Sequence, residues 1–278
     1  MQLRTVYPVT EICAVLVYPR SNVYAPRSRA AEIELRQAIQ ELAGEHTTYG
    51  YRRITAMLRR AGWRVNRKRI QRLMREMGLA AAPPKRRRRT TNSNHPYPRY
   101  PNLVKDLVAA YPDHLWVCDI TYVQLRYGVV YLTIIMDVYT RAIRGWYLGH
   151  SLDQELTLVA LERALATHTP EIHHSDQGVQ YAATRYVALL EQHNVQISMA
   201  AVGKPEENGF AERLIRTIRE EEIQLTDYAD YHDACAHIGQ FLEDVYNHKR
   251  IHSALGYLTP AEFEAEWVSQ QPETAVIH

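Results

Sequence analysis

At 278 residues, 46% apolar, 23% charged and carrying a net charge of +2, the chain has the composition of an ordinary globular protein long enough for about two domains. No apolar run approaches the ~20 residues of a membrane span, and the N-terminus lacks a signal-peptide pattern, so a cytoplasmic protein is expected. Cys13, Cys118 and Cys235 are too few and too widely spaced for a disulfide framework or a structural zinc site.

The small net charge conceals an imbalance. Residues 51 to 99 hold 16 Lys or Arg against one acid, Glu76, which leaves −13 on the rest of the chain. A basic block of this kind reads as a polyanion-binding module joined to something else.

In chain order, residues 1 to 27 hold one short apolar run, 9 to 17, whose pattern fits a small helix or a strand. Residues 28 to 80 then read as three short helices. Ser28 is a candidate N-cap for the first, with Leu35, Ile39 and Leu42 at helical spacing and Gly44 at its end. Ile54, Met57 and Leu58 stripe the second, which stops at Ala61-Gly62. Asn66 caps the third, whose inner face is Ile70, Leu73, Met74 and Met77 and whose stop is Gly78. A Gly-containing turn before the last helix predicts a helix-turn-helix, with Arg67, Lys68, Arg69 and Arg72 on the half that enters a DNA groove. Arg52 and Arg53 add to the expected DNA contacts. Residues 81 to 112 read as a basic flexible linker, with Lys85, Arg86, Arg87, Arg88 and Arg89 set to track phosphates.

From 113 the period changes to that of strands. Three apolar runs, 115–123, 129–137 and 142–148, are joined by short links and predict an antiparallel meander. Ser151 with Gln154 suggests a capping box opening a helix to about 167. A fourth strand, 171–176, a helix, 184–193, a fifth strand, 195–199, and a helix from Lys204 to about Leu225 follow, and a helical tail fills 227–278. That order predicts an α/β, ribonuclease-H-like domain over 113–226: a mixed five-stranded sheet with flanking helices, preceded by the small all-α module. In this fold, carboxylates of the first and fourth strands and of a late helix converge.

The candidates are Asp119, Asp176 and Glu212, the last two separated by 35 residues. Phosphodiester chemistry needs charge neutralised at the attacking and leaving oxygens, and two Mg²⁺ or Mn²⁺ ions held by carboxylates do this. Asp137 also ends an apolar strand and rivals Asp119, but its place before Val138-Tyr139-Thr140-Arg141 suits support of a turn. Glu212 shares a helix face with Arg216 and Arg219, two further candidate DNA contacts, with Phe210, Leu214 and Ile218 opposite.

Five motifs carry a resemblance: Tyr49-Gly50-Tyr51-Arg52-Arg53, Trp116 to Tyr122, His174-Ser175-Asp176-Gln177-Gly178 to Tyr181, Glu207-Asn208-Gly209-Phe210-Ala211-Glu212, and Tyr246 to Pro260. With them the chain resembles transposases of bacterial insertion sequences of the IS-three type, specifically the second-frame product OrfB, and more distantly retroviral integrases. The resemblance implies a D,D,35,E triad on Asp119, Asp176 and Glu212, with Arg219 as the basic residue seven positions on. It also implies magnesium-dependent hydrolysis at transposon ends followed by attack of the 3′-hydroxyl on target DNA. The partners implied are the terminal inverted repeats, target DNA, further copies of the chain, and the upstream-frame product OrfA, in a bacterial nucleoid. Family members often act as a frameshifted fusion with a further N-terminal helix-turn-helix and a coiled coil. Here no heptad run is present, so the alternative expectation is a regulatory or catalytically incomplete half.

Overall fold

The computed structural model describes residues 8–15, 29–79, 99–201 and 204–271, and the chain divides into two compact units, 1–82 and 83–278. Ser28 and the basic run Lys85 to Arg89 lie outside the described residues.

In the first unit the early apolar run is a helix, α1 (Val9–Val15). The three expected helices follow as α2 (Arg29–Glu45), α3 (Tyr51–Arg60) and α4 (Arg67–Glu76). Their apolar stripes meet: Leu35 and Ile39, Ile54 and Leu58, and Ile70, Leu73 and Met74 are all buried. The Asn66 side chain caps α4 by accepting from the Lys68 N–H at 2.8 Å, which satisfies one of the unpaired donors of a helix start. Gly62 and Gly78, at φ +86 and +70, end α3 and α4 in a backbone form that side chains disfavour. Met57 and Met77, expected inside, are only partly buried, and Thr55 takes an inner place, its hydroxyl turned onto the Tyr51 carbonyl at 2.6 Å.

The second unit is built on five strands: β1 (Leu115–Gln124), β2 (Val129–Asp137), β3 (Ile143–Gly149), β4 (Ile172–Ser175) and β5 (Gln196–Met199). Their order is β3-β2-β1-β4-β5. The first three form the expected antiparallel meander, and β4 and β5 add in parallel beside β1. This is the ribonuclease-H-like arrangement. Both faces of the sheet are covered, so β2 is a continuous apolar run without alternation.

One face packs against α5 (Gln154–Leu165) and α6 (Thr184–Gln192): Trp116, Cys118 and Ile135 meet Ala160, Leu161, Ala164, Tyr186 and Leu190. The other packs against α7 (Gly209–Ile218) and α8 (Tyr231–Gln240): Leu115, Val117, Ile134 and Met136 meet Ala211, Leu214, Ile218, Ala234 and Ile238. The tail after 226 therefore contributes to the same core, closing with α9 (Pro260–Gln270), which Thr259 and Glu262 open with a reciprocal capping box. The Tyr246 to Pro260 motif holds the tail in place. Asn247 pairs both backbone groups of Ile143 on edge strand β3, at 2.9 and 3.3 Å, and Arg250 forks onto Glu221 at 2.7 and 2.8 Å.

Three local expectations are corrected. Helix α5 is capped by Asp153, which accepts from the Leu156 N–H; Ser151 sits two residues too early and hydrogen-bonds the Asp153 carboxylate. The predicted single helix 204–225 is three pieces: a 3₁₀ turn (Pro205–Asn208), α7, and a π-turn (Arg219–Ile223) in which the Gln224 N–H reaches back five residues to Arg219. Phe210, assigned to the buried face, is 44% exposed, with the Arg141 guanidinium over its ring at 4.6 Å. Among the described residues no helix is long and apolar enough to cross a membrane, and all three cysteines are free thiols.

Gly145 leaves no room for a side chain between β3 and α5. A Cβ there would stand 2.4 Å from the Ala160 carbonyl oxygen and 2.9 Å from Ala164 Cβ. Gly145→Ala should therefore lower the unfolding free energy by about 1–3 kcal/mol through overpacking. Gly44→Ala, in a helix with open space around it, should raise it by about 0.5–1 kcal/mol. Denaturant melts of the two variants check both signs.

Candidate active site

The sheet register brings two of the three candidate acids side by side. β1 and β4 run parallel, with Val117 opposite His174. Two residues further along each chain stand Asp119, within β1, and Asp176, one residue beyond β4. Alternation puts Asp119 on the face of Leu115 and Val117, the face that α7 covers. Both acids are half-buried. Asp119 accepts from the Ile120 N–H at 2.8 Å and Asp176 from the Gly178 N–H at 2.9 Å. Burial foremost, then Cys118, Asp176 and Asp119, push the Tyr181 hydroxyl well above its ordinary pKa, so both carboxylates act on one buried group.

The third acid comes from α7. Glu212 lies in that helix's first turn and is half-buried, and the helix is pressed on β1 through Ala211, Leu214 and Ile215. The oxygens of the three acids do not close to within 4.8 Å of one another. Among the described residues only Asp113, His168 and Glu264 form such a group. That group is poorly suited to a cation, because the buried Arg144 guanidinium already lies on it, bonded to Asp113 at 2.8 Å and to Glu264 at 2.6 Å. Asp119, Asp176 and Glu212 are instead oxygen donors of the hard kind, partly open to solvent, which suits magnesium or manganese.

Asp137 is a different kind of acid. It is fully buried, and its oxygens accept from the Asp113 N–H, the Thr140 N–H and the Thr140 hydroxyl at 3.1, 2.8 and 2.6 Å. It pins the turn between β2 and β3, as expected. Burial is the largest influence on it and raises its pKa.

Around the candidate acids lie groups that sequence reasoning passed over. His174 is buried on β4. Its Nε2 faces the Glu207 carbonyl at 3.2 Å, and since a carbonyl can only accept, Nε2 carries the proton. Its Nδ1 therefore accepts from the Ser198 hydroxyl at 2.8 Å. Burial pushes His174 down to about 4 and keeps it neutral. Beside it a cavity of about 730 Å³ opens, lined among others by Val104, Leu107, Val117, Asn208, Phe210 and Arg213. On the helix face of Glu212, Arg216 is exposed, and Arg219 donates to the Tyr122 hydroxyl at 3.1 Å while stacking on its ring at 4.7 Å.

In the helical unit the predicted DNA contacts separate. Arg52, Arg67 and Lys68 are exposed. Arg53 stacks on Tyr49 at 4.8 Å. Arg69 and Arg72 face acids: Glu32, which lies before the basic block, at 3.6 Å, and Glu76, its one acid, at 2.7 Å. Arg36 bridges the same two glutamates, joining α2 to α4.

Comparison with known proteins falls on the same elements. The family described as "HTH-like domain" matches residues 30–88, and two described as "Integrase core domain" match 109–205 and 193–260. The chain is 37% identical to an uncharacterized 31 kDa protein of insertion element IS600 from Shigella sonnei, over 79% of this chain and 82% of that one. It is 33% identical to the transposase of IS904 from Lactococcus lactis, over 86% and 97%. It is 30% identical to the transposase InsF of IS3A from Escherichia coli, over 93% and 94%. Among solved structures, a simian T-cell lymphotropic virus intasome, in complex with PP2A regulatory subunit B56 gamma, superposes with a TM-score of 0.50. That likeness carries 14% identity over 84% of this chain and 75% of the other, and it speaks to the fold alone.

Two predictions follow from the burial of these groups. Asp137→Ala should cost roughly 3 kcal/mol, because two buried donors of Thr140 and the part-buried Asp113 N–H lose their acceptor, whereas Asp119→Asn should change stability by less than about 1 kcal/mol; chemical denaturation of both variants tests the contrast. His173, fully buried against the Tyr186 hydroxyl at 3.0 Å, is pushed down to about 3, first by burial and then by His174. The unfolded chain takes up that proton near pH 6.5, so acidification from there towards pH 3 favours unfolding. Between pH 7 and 4 the wild type should lose on the order of 3 kcal/mol more than His173→Gln does, and equal pH slopes would refute this.

Proposed function

Since the chain belongs to the insertion-sequence transposases of the IS3 type, we propose that Asp119, Asp176 and Glu212 are the acids with which it cuts DNA at the ends of its element and joins the 3′-hydroxyls to target DNA. The observation that supports this most directly is the parallel register that sets Asp119 beside Asp176, with Glu212 on the helix packed against the same strand. Three half-buried carboxylates at one sheet end repel one another unless a cation joins them. They fit one or two divalent ions, magnesium or manganese, and we assign them as the ligands. Bound there, such ions neutralise charge on the attacking and leaving oxygens of a phosphodiester.

The chain's own residues do the rest. Backbone pairing fixes Asp119 opposite Ile134 and runs up to Ser175, immediately before Asp176, so these acids stand on or next to paired backbone. Gly178 keeps the ground beside Asp176 open, since a Cβ there would stand 3.0 Å from the carboxylate. Arg216, exposed one turn after Glu212, offers a guanidinium to the DNA backbone. In the helical unit, Arg52, Arg67 and Lys68 are the exposed cations we assign to the terminal repeat, with Arg53, Arg69 and Arg72 beside them. Lys85 to Arg89 would add phosphate contacts that weaken with salt. Arg219, held on Tyr122, supports the helix that carries Glu212. Two ends must be cut together, so the working form is a complex of at least two copies on DNA, joined by the upstream-frame product where the element encodes one. The protein works in the cytoplasm, where its DNA lies.

Asp176→Asn should keep the fold, read by circular dichroism, and lower joining of terminal-repeat 3′-ends with magnesium by at least about 10³-fold, the equivalent of several kcal/mol of lost charge stabilisation. Joining by that variant at the wild-type rate, with the upstream-frame product supplied to both, would overturn the assignment.

A further inference from the structure

We infer that Asn208 and His174 are positioning residues: two hydrogen-bonded braces that set the helix carrying Glu212 against the strands carrying Asp119 and Asp176. The inference rests on the functional reading above and concerns how the third acid is placed.

Asn208 occupies the N-cap of α7, where an Asn side chain ordinarily caps its own helix. Here it makes no cap bond. Its Nδ2 instead crosses to the sheet and donates to the Cys118 carbonyl at 3.3 Å, on the residue immediately before Asp119. The side chain is 4% exposed, and its Oδ1 is buried with no hydrogen-bond partner. Giving up a cap and burying an unpaired acceptor both work against local stability. Such a cost persists where the surrounding structure requires the arrangement.

The second brace is next to the first. Glu207, the residue before Asn208, has its carbonyl bound by His174 Nε2 at 3.2 Å. His174 stands on β4 two residues before Asp176. Its other nitrogen is fixed by the Ser198 hydroxyl, whose oxygen in turn accepts from the Leu103 N–H at 2.9 Å. Adjacent residues are thus tied to adjacent strands, Asn208 to β1 and Glu207 to β4. The Glu207 carboxylate adds bonds to the Ala201 N–H and Asn102 side chain at 2.8 and 2.7 Å.

Glu212 lies one helical turn beyond this anchor, so the tilt of α7 at its first residues moves that carboxylate directly. Magnesium tolerates little departure from octahedral geometry, so a small error in the third ligand is costly. A brace acting on backbone rather than on the acid itself places no bond of its own on the carboxylates.

The experiment uses the full chain in four forms: wild type, Asn208→Ala, His174→Asn and His174→Gln. The Asn amide can reach Ser198 from the place of Nδ1 but not Glu207, whereas the longer Gln amide reaches towards the Glu207 carbonyl. Divalent-ion affinity is read without DNA, as the rise in thermal midpoint on titrating Mg²⁺ or Mn²⁺. Joining rates with each metal and terminal-repeat affinity in Ca²⁺ are measured beside it. Asn208→Ala and His174→Asn should keep wild-type DNA affinity, need about 10-fold or more Mg²⁺ for the half-maximal shift, and recover in part with Mn²⁺. His174→Gln should restore most of the Mg²⁺ affinity. Unchanged Mg²⁺ midpoints in Asn208→Ala and His174→Asn, or identical losses in both His174 variants, would overturn the braces. If His174→Asn does not fold, Asn208→Ala alone decides. A wild type that neither binds the metals nor joins ends would instead fail the functional reading itself.

Discussion

Val117 pairs with His174 in parallel register, and the chemistry of the second unit hangs from that pairing. A shift of one residue between β1 and β4 would turn one strand's side chains to the opposite face. It would separate Asp119 from Asp176 and move His174 away from Glu207. The register is held because both faces of the sheet are buried. Trp116 and Cys118 must meet α5 and α6 while Leu115 and Val117 meet α7 and α8. The apolar core thus does more than stabilise: it fixes where two charges stand.

The acids of this unit divide by how their charge is answered. Asp137 is enclosed by three donors and serves the turn between β2 and β3. Asp113 and Glu264 are answered by Arg144, and Glu221 by Arg250, each guanidinium being almost wholly buried. These pairs join distant segments, α9 to β3 and the middle of the tail to the π-turn after α7. Asp119, Asp176 and Glu212 are only half-buried, at the edge of the core. Burial with complete hydrogen bonding, as at Asp137, marks an acid that serves the structure.

The helical unit follows another rule. Its apolar stripes were visible in the sequence, and so was its positive charge. The charge count treated all its Arg residues alike, since Glu32 lies before the basic block and its distance from Arg69 depends on how α2 meets α4. Ion pairs of this exposed kind contribute little stability, but they distinguish the cations already engaged within the unit, Arg69 and Arg72, from those facing solvent, Arg52, Arg67 and Lys68.

The sequence by itself determined the succession of strands, the three helices with the Asn66 cap and the Gly78 stop, the turn-supporting place of Asp137 and the family, because hydrophobic period, turn residues and motif spacing are local properties of a chain. It misplaced the cap of α5 by two residues and read the segment 204–225 as one helix, since rival caps and a π-turn differ by energies that neighbouring segments decide. Phe210 went astray for the same reason: helical spacing says which residues share a face, and only packing says where that face stops. The partners of Asn208, His174 and Arg144 were beyond any local pattern. Each bonds to groups distant along the chain, and burial in the folded core, where an unpaired polar group is costly, is what selects those bonds.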